Sequence, residues 1–167
     1  MHVKIQPYQE DHKDEIANLI LDIQQREFHI AISLNDQPDL LDIRNFYRRG
    51  NGNFWCAIST EGEVIGTIAL IDMGDGMGAI RKMFVREDWR GKDKNVASSL
   101  LYTLETWALN YGIKTLYLGT VDVLKAAQRF YNREGFVVVD AADLPASFPR
   151  MPVDTLFFKK DLFSTIL

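Results

Sequence analysis

Cysteine is almost absent. Cys56 is the one thiol in 167 residues, so neither an intrachain disulfide nor a cysteine-rich metal site can form, and no metal is expected. It lies in the apolar run Phe54-Trp55-Cys56-Ala57-Ile58, where a packed strand residue is expected rather than a nucleophile. No apolar run is long enough to span a bilayer and no signal peptide is visible, which leaves a cytoplasmic protein with no membrane partner as the expectation. Positive charge is not in excess. Nineteen Lys and Arg stand against 23 Asp and Glu, a net charge of −4, which argues against a nucleic-acid partner. The phosphate-loop pattern G-x-x-x-x-G-K-(S/T) is missing, so an ATP site of that kind is set aside. Repeats and low-complexity linkers are missing too, and residues 1–167 read as one domain of mixed α/β class.

What is present centres on Ala79 to Ala108. Ile80 to Val85 reads as a buried strand, with Met83 out of phase. A polar loop follows, carrying Arg90, Gly91, Lys92, Asp93 and Lys94. After it, Val96, Leu100, Leu101, Leu104, Trp107 and Ala108 recur at helical spacing. The first turn of a helix has free N–H groups and the positive end of the helix dipole, so a strand, a basic loop and a helix in that order can build an anion site. A solvated loop between two ordinary elements is the plain alternative.

The rest of the chain supplies the frame. Val3 to Gln6 reads as a strand ended by Pro7, and Asp11 or His12 opens a helix through Phe28 with Ile16, Leu19, Ile20 and Ile23 on one face. Pro38 opens a second helix with Asp36 as its cap, and Gly50-Asn51-Gly52 ends it. Asn53 to Ser59 and Val64 to Asp72 form a hairpin, and Gly74, Gly76 and Gly78 mark the turn into the central strand. Thr115 to Thr120 is a strand, Lys125 to Glu134 a helix stopped by Gly135, and strands follow at Phe136 to Asp140 and near Thr155 to Lys160.

Two stretches carry a family resemblance. Arg90 to Leu101 resembles the acyl-CoA-binding motif of the GNAT superfamily of N-acetyltransferases, (Gln/Arg)-x-x-Gly-x-(Gly/Ala) before a leucine-rich helix. Counted from Arg90, the small positions fall on Asp93 and Asn95. Counted back from Leu100-Leu101, they fall on Asn95 and Ala97 with Lys92 as the basic residue; this is the preferred register. Asn95 then stands where the family has glycine, and asparagine enters left-handed backbone more easily than most residues. Downstream, Ala127, Phe130, Tyr131, Gly135 and Phe136 match the family's A-x-x-F-Y-x-x-x-G-F signature. Leu124 stands where the family often has a cofactor-contacting asparagine.

The resemblance implies the GNAT fold: a mixed, mostly antiparallel sheet of about seven strands, helices on both faces, and a splay between the fourth and fifth strands. It implies an acetyl-CoA-dependent N-acetyltransferase that works by direct attack on an amine of a small molecule or peptide. Coenzyme A would meet the loop and first turn, Arg90 to Asn95 and then Val96, Ala97 and Ser98. The backbone of Met83 and Val85 would pair with its pantetheine arm while Phe84 points away. Gly119 and Thr120 would mark the splay, and Ala127 the second motif. Tyr131 would be the general acid for the departing thiolate. Glu27, His29 and Asp72 are candidates on the acceptor side, and Phe148 to Met151 a segment that closes over it. Family members are frequently dimers, so a homodimer is an expectation with no surface assigned. A non-catalytic acyl-CoA-binding sensor is the alternative class, kept open by Asn95 and Leu124.

Overall fold

Apolar alternation and helical stripes translate into a seven-stranded sheet in a computed structural model that describes residues 3–163. The strands are β1 (Lys4–Pro7), β2 (Asn53–Ile58), β3 (Val64–Gly74), β4 (Met77–Val85), β5 (Thr115–Thr120), β6 (Val137–Val139) and β7 (Leu156–Asp161). Their order across the sheet is β1-β2-β3-β4-β5-β7-β6. Every neighbouring pair is antiparallel except β4 and β5, which run parallel. The helices are α1 (Lys13–Leu21), α2 (Pro38–Leu41), α3 (Ile43–Tyr47), α4 (Val96–Asn110) and α5 (Lys125–Arg133).

Both faces of the central strands are covered, which is why β2 is an unbroken apolar run. Leu100, Leu101, Leu104 and Ala108 of α4 pack with Ile65, Ile68, Leu70, Leu116, Phe130 and Phe136 on one face. On the other, Ile16, Ile20, Leu40, Ile43 and Tyr47 pack over Phe54, Cys56 and Ala69. Cys56 is fully buried there, and burial followed by the Glu15 charge pushes its thiol up to about 12. Phe148 closes a smaller cluster over Tyr117 and Phe157.

Two departures from regular pairing shape the centre. β4 and β5 pair only from Met77–Thr115 to Ile80–Leu118. Arg81 to Val85 therefore have no strand partner on that side, which is the splay expected between the fourth and fifth strands. On the β3 side, Thr67 faces Phe84 while Ala69 faces Arg81. Lys82 and Met83 thus oppose the single residue Ile68, a bulge in which Lys82 takes a left-handed φ of +53°.

Several expected boundaries shift. Pro7 ends β1 from within, paired with Trp55; β1 is an edge strand, so one face of its backbone needs no partner. The hairpin turn is Asp75-Gly76, both at positive φ, and Gly78 lies inside β4, where a Cβ would come within 2.7 Å of Leu70. The first helical arm is a 3₁₀ turn, α1 and then a π-helical segment, Asp22–Glu27. The helix opened by Pro38 breaks at Asp42, whose φ of −151° and ψ of 66° are not helical. Asp36 does not cap it: its carboxylate accepts from the backbone and hydroxyl of Ser33, and Gln37 is the residue before α2.

Candidate active site

The loop from Arg90 to Asn95 turns at Gly91, where φ is +113°, and closes on hydrogen bonds from the Lys94 and Asn95 N–H groups to the Gly91 carbonyl (3.2 and 3.3 Å). Asn95 adopts the left-handed conformation, φ +62°, that its side chain tolerates. It starts α4 with no side-chain cap, so the N–H groups of the first turn are left without intrahelical or capping partners. They border a cavity of about 320 Å³. Gly91, Lys92, Asn95, Ala97 and Ser98 line its helix end, Met83, Phe84 and Val85 line its β4 wall, and Ala127 and Tyr131 come from α5. A side-chain-free anion cradle beside an unpaired strand edge fits the diphosphate and amide arm of coenzyme A.

Several residues expected at this site have other commitments. Arg90 donates from Nε to the Val85 carbonyl (2.7 Å) and grips Glu27 through both terminal nitrogens, Nη2 to Oε1 at 2.7 Å. Its guanidinium also lies over the Phe28 ring. Arg90 thus spends its charge on Glu27, and Glu27 braces the π-helical end against the loop instead of facing an acceptor. The Val85 carbonyl is correspondingly already engaged. Lys94 reaches back to the Asp88 carbonyl (3.1 Å) and over Trp89. Val96 sends its side chain into the core, 2% exposed, and Asp93 folds towards Gly91.

A second cavity, about 100 Å³, adjoins the first, and Phe84, Leu124, Ala127 and Tyr131 border both. Gly119 and Thr120 lie here, where β5 has left β4. The Tyr131 ring packs against Phe130, Phe136 and Phe158, and burial raises its phenol well above the ordinary value. The phenol therefore stays protonated at neutral pH.

The second cavity also gathers charged and amide side chains. Gln24 and Gln37 exchange two amide hydrogen bonds, 3.1 and 2.9 Å; the π segment turns Gln24 inward. The Lys82 ammonium donates to the Gln37 carbonyl oxygen (2.7 Å) and sits 3.5 Å from the Asp39 carboxylate. Asp39 also accepts from the Tyr47 hydroxyl at 2.5 Å. Burial, partly opposed by Asp39, lowers Lys82 to about 8. Asp154 accepts from the Met151 N–H (3.0 Å), and burial raises its carboxyl above the usual carboxylate value against the pull of that bond and of Arg81, Lys82 and Arg150. Its Oδ2 sits so close to Gly119 that a Cβ there would approach to 2.5 Å.

His29 and Asp72 border neither cavity. His29 is exposed at φ +53°, just past the helical arm. Asp72 holds the chain by accepting from the Asn51 and Gly74 N–H groups, both 2.9 Å. Asp154 carries no signal of its own in the sequence, although it follows the Phe148-to-Met151 segment expected to close over the acceptor. Among the described residues, no three His, Cys, Asp or Glu side chains gather as a metal site.

A model of the acetyltransferase (GNAT) family matches residues 17–136. N-acetylaspartate synthetase of Danio rerio is 31% identical over 126 residues, which is 72% of this chain and 43% of that protein. The chain thus spans less than half the length of that curated relative. An acetyltransferase of the GNAT family from Staphylococcus aureus Mu50 is 37% identical and superposes with a TM-score of 0.93 over 97% of this chain and 100% of that one. An acetyltransferase from Streptococcus agalactiae is 25% identical, with a TM-score of 0.90 over 96% of this chain and 98% of the other.

Proposed function

The chain belongs to the GNAT acetyltransferase family, and on that premise we propose that it transfers an acetyl group from acetyl-CoA to a primary amine, of a small molecule or a peptide, with both substrates bound together. Acetyl-CoA supplies the acyl group as an activated thioester. The observation that carries this reading is the uncapped first turn of α4 behind left-handed Asn95, opening on a cavity that runs along the unpaired edge of β4 to Tyr131.

The residues divide the work. The N–H groups from Val96 to Ser98, with Lys92 at the rim, hold the diphosphate. The edge of β4 from Met83 to Val85 aligns the arm, and fixing two reactants in register is itself worth several kcal/mol, up to about 10. Tyr131 stands where the cavities meet with its phenolic proton in place, as a donor to the departing thiolate requires. On the acceptor side an ammonium must lose a proton before it can attack. Asp154, a carboxylate whose basicity is enhanced by burial, takes that role in the second cavity.

The test is thiol release from acetyl-CoA across a panel of amines. Tyr131→Phe is expected to lower kcat about 100-fold with the coenzyme A Kd within about twofold of wild type. Coenzyme binding without thiol release for any amine would overturn the reading in favour of a non-catalytic acyl-CoA sensor.

A further inference from the structure

We propose that the acceptor carries a carboxylate beside its amine, and that Arg81 receives that carboxylate in the second cavity. This rests on the acetyltransferase reading and narrows its substrate class.

Four charged side chains crowd one small cavity, and their hydrogen bonds are unequally satisfied. Arg81, Lys82, Asp39 and Asp154 meet around the second cavity. Asp39 is engaged twice, by the Tyr47 hydroxyl and by Lys82, and its side chain is 2% exposed. Lys82 is engaged by Asp39 and by Gln37. These form a closed pair. Arg81 is held more loosely: its Nη2 pairs with Asp39 only at 4.0 Å, beyond hydrogen-bond reach, and its side chain is only 11% exposed. The acceptor it does reach is the thioether of Met151 at 2.9 Å, a weak one.

A guanidinium has five N–H donors in a planar fork, and stripping water from it without an anionic partner is unfavourable. Arg81 borders the cavity with only a 4.0 Å ion pair to Asp39 and the longer-range attraction of Asp154, and among the described residues no oxygen accepts a hydrogen bond from its fork. A ligand carboxylate matches the fork with two parallel hydrogen bonds. Met151 ties this cation to Asp154, since its sulfur meets Arg81 and its N–H meets the Asp154 carboxylate. An amine-binding anion and a carboxylate-binding cation therefore stand one residue apart, the polarity of an amino acid. A second ammonium, as in a polyamine, would meet Arg81 and Lys82 and be repelled. The volume of about 100 Å³, a third of the first cavity, suits a small acceptor.

The experiment compares amino acids with their decarboxylated amines in the thiol-release assay, using wild type, Arg81→Lys and Arg81→Met. For wild type, kcat/KM should favour the carboxylate-bearing member of each pair by at least about tenfold, the scale of one good charge-assisted contact. Arg81→Met should raise KM for amino acids about 100-fold and so erase the wild-type preference for the carboxylate-bearing member of each pair, with Arg81→Lys between, since it keeps charge but loses the fork. Thiol release that ignores the carboxylate would overturn this inference and leave the acetyltransferase reading intact. Coenzyme binding without release for any acceptor would overturn both. The wild-type comparison decides even if a variant fails to fold.

Discussion

Replacing Gly119 by alanine adds one methyl group in the second cavity, directly against the proposed proton acceptor. Built on the existing backbone, that Cβ would lie 2.5 Å from Asp154 Oδ2, 2.7 Å from its Cγ and 3.1 Å from its Cβ. Ordinary contact begins near 3.4 Å, so the whole side chain must withdraw by about 1 Å. It cannot do so freely, because its Oδ2 is held by the Met151 N–H at 3.0 Å. Overpacking of this kind costs about 1–3 kcal/mol of stability. The larger consequence is catalytic: displacing a reacting group by about 1 Å lowers turnover roughly 100-fold. The first cavity does not include Gly119, so coenzyme binding should be spared. Thiol release at saturating substrates, calorimetric titration with coenzyme A and a melting curve separate these effects. Unchanged kcat in folded protein would refute Asp154 as the proton acceptor. A loss of coenzyme affinity as large as the loss of kcat would refute the division into two cavities.

Glu27→Gln should weaken coenzyme A binding several-fold and stability by about 1 kcal/mol, because a partly buried charge-assisted pair to Arg90 becomes a neutral contact. Titration and thermal melts check this, and wild-type affinity would show that the brace does not position the loop. Lys82→Met addresses pH. Lys82 has its folded value lowered to about 8, so between that pH and the unfolded lysine value of roughly 10.4 the unfolded chain binds more protons and stability rises with pH. Buried Tyr8, Tyr47 and Tyr131, raised in the fold, act oppositely: the unfolded phenols ionise first, and stability falls above about pH 10. The difference between wild-type and Lys82→Met denaturation curves should therefore grow in favour of wild type from about pH 8 to 10; a flat difference would contradict it.

The legible parts of the molecule are those in which neighbours in sequence decide the outcome. Thr115 to Thr120 is a strand because its residues fit a buried β ladder, and the observed bounds are the same. The α4 stripe and the glycine stop at Gly135 are local too. Arg90 to Ser98 and Tyr131 stand out in the sequence because two stretches there resemble family motifs. Glu27, Asp72 and Asp154 were not assignable in that way. Each is fixed by one long-range partner: Glu27 by Arg90, Asp72 by Asn51, and Asp154 by the approach of Gly119. Nor does anything in residues 22–27 announce a π segment, whose extra residue turns Gln24 inward.

Arg81 and Lys82 show most clearly why the acceptor side was hidden. Strand alternation would send these neighbours to opposite faces of the sheet. Instead both border the second cavity and both approach Asp39, at 4.0 and 3.5 Å, because the bulge opposite Ile68 breaks the alternation. The same half of β4 is released by β5 on its other side. A strand paired regularly with both neighbours would have no free edge beside the first cavity and would not bring Arg81 and Lys82 to the second together. The left-handed residues fit this logic. Of the non-glycine positions at positive φ, Asp75 serves a hairpin turn and His29 follows a helix end, while Lys82 and Asn95 each border a cavity. Backbone strain of this kind persists where surrounding structure holds it in place. Here it sits at the helix start beside the first cavity and at the bulge beside the second, with Tyr131 bordering both.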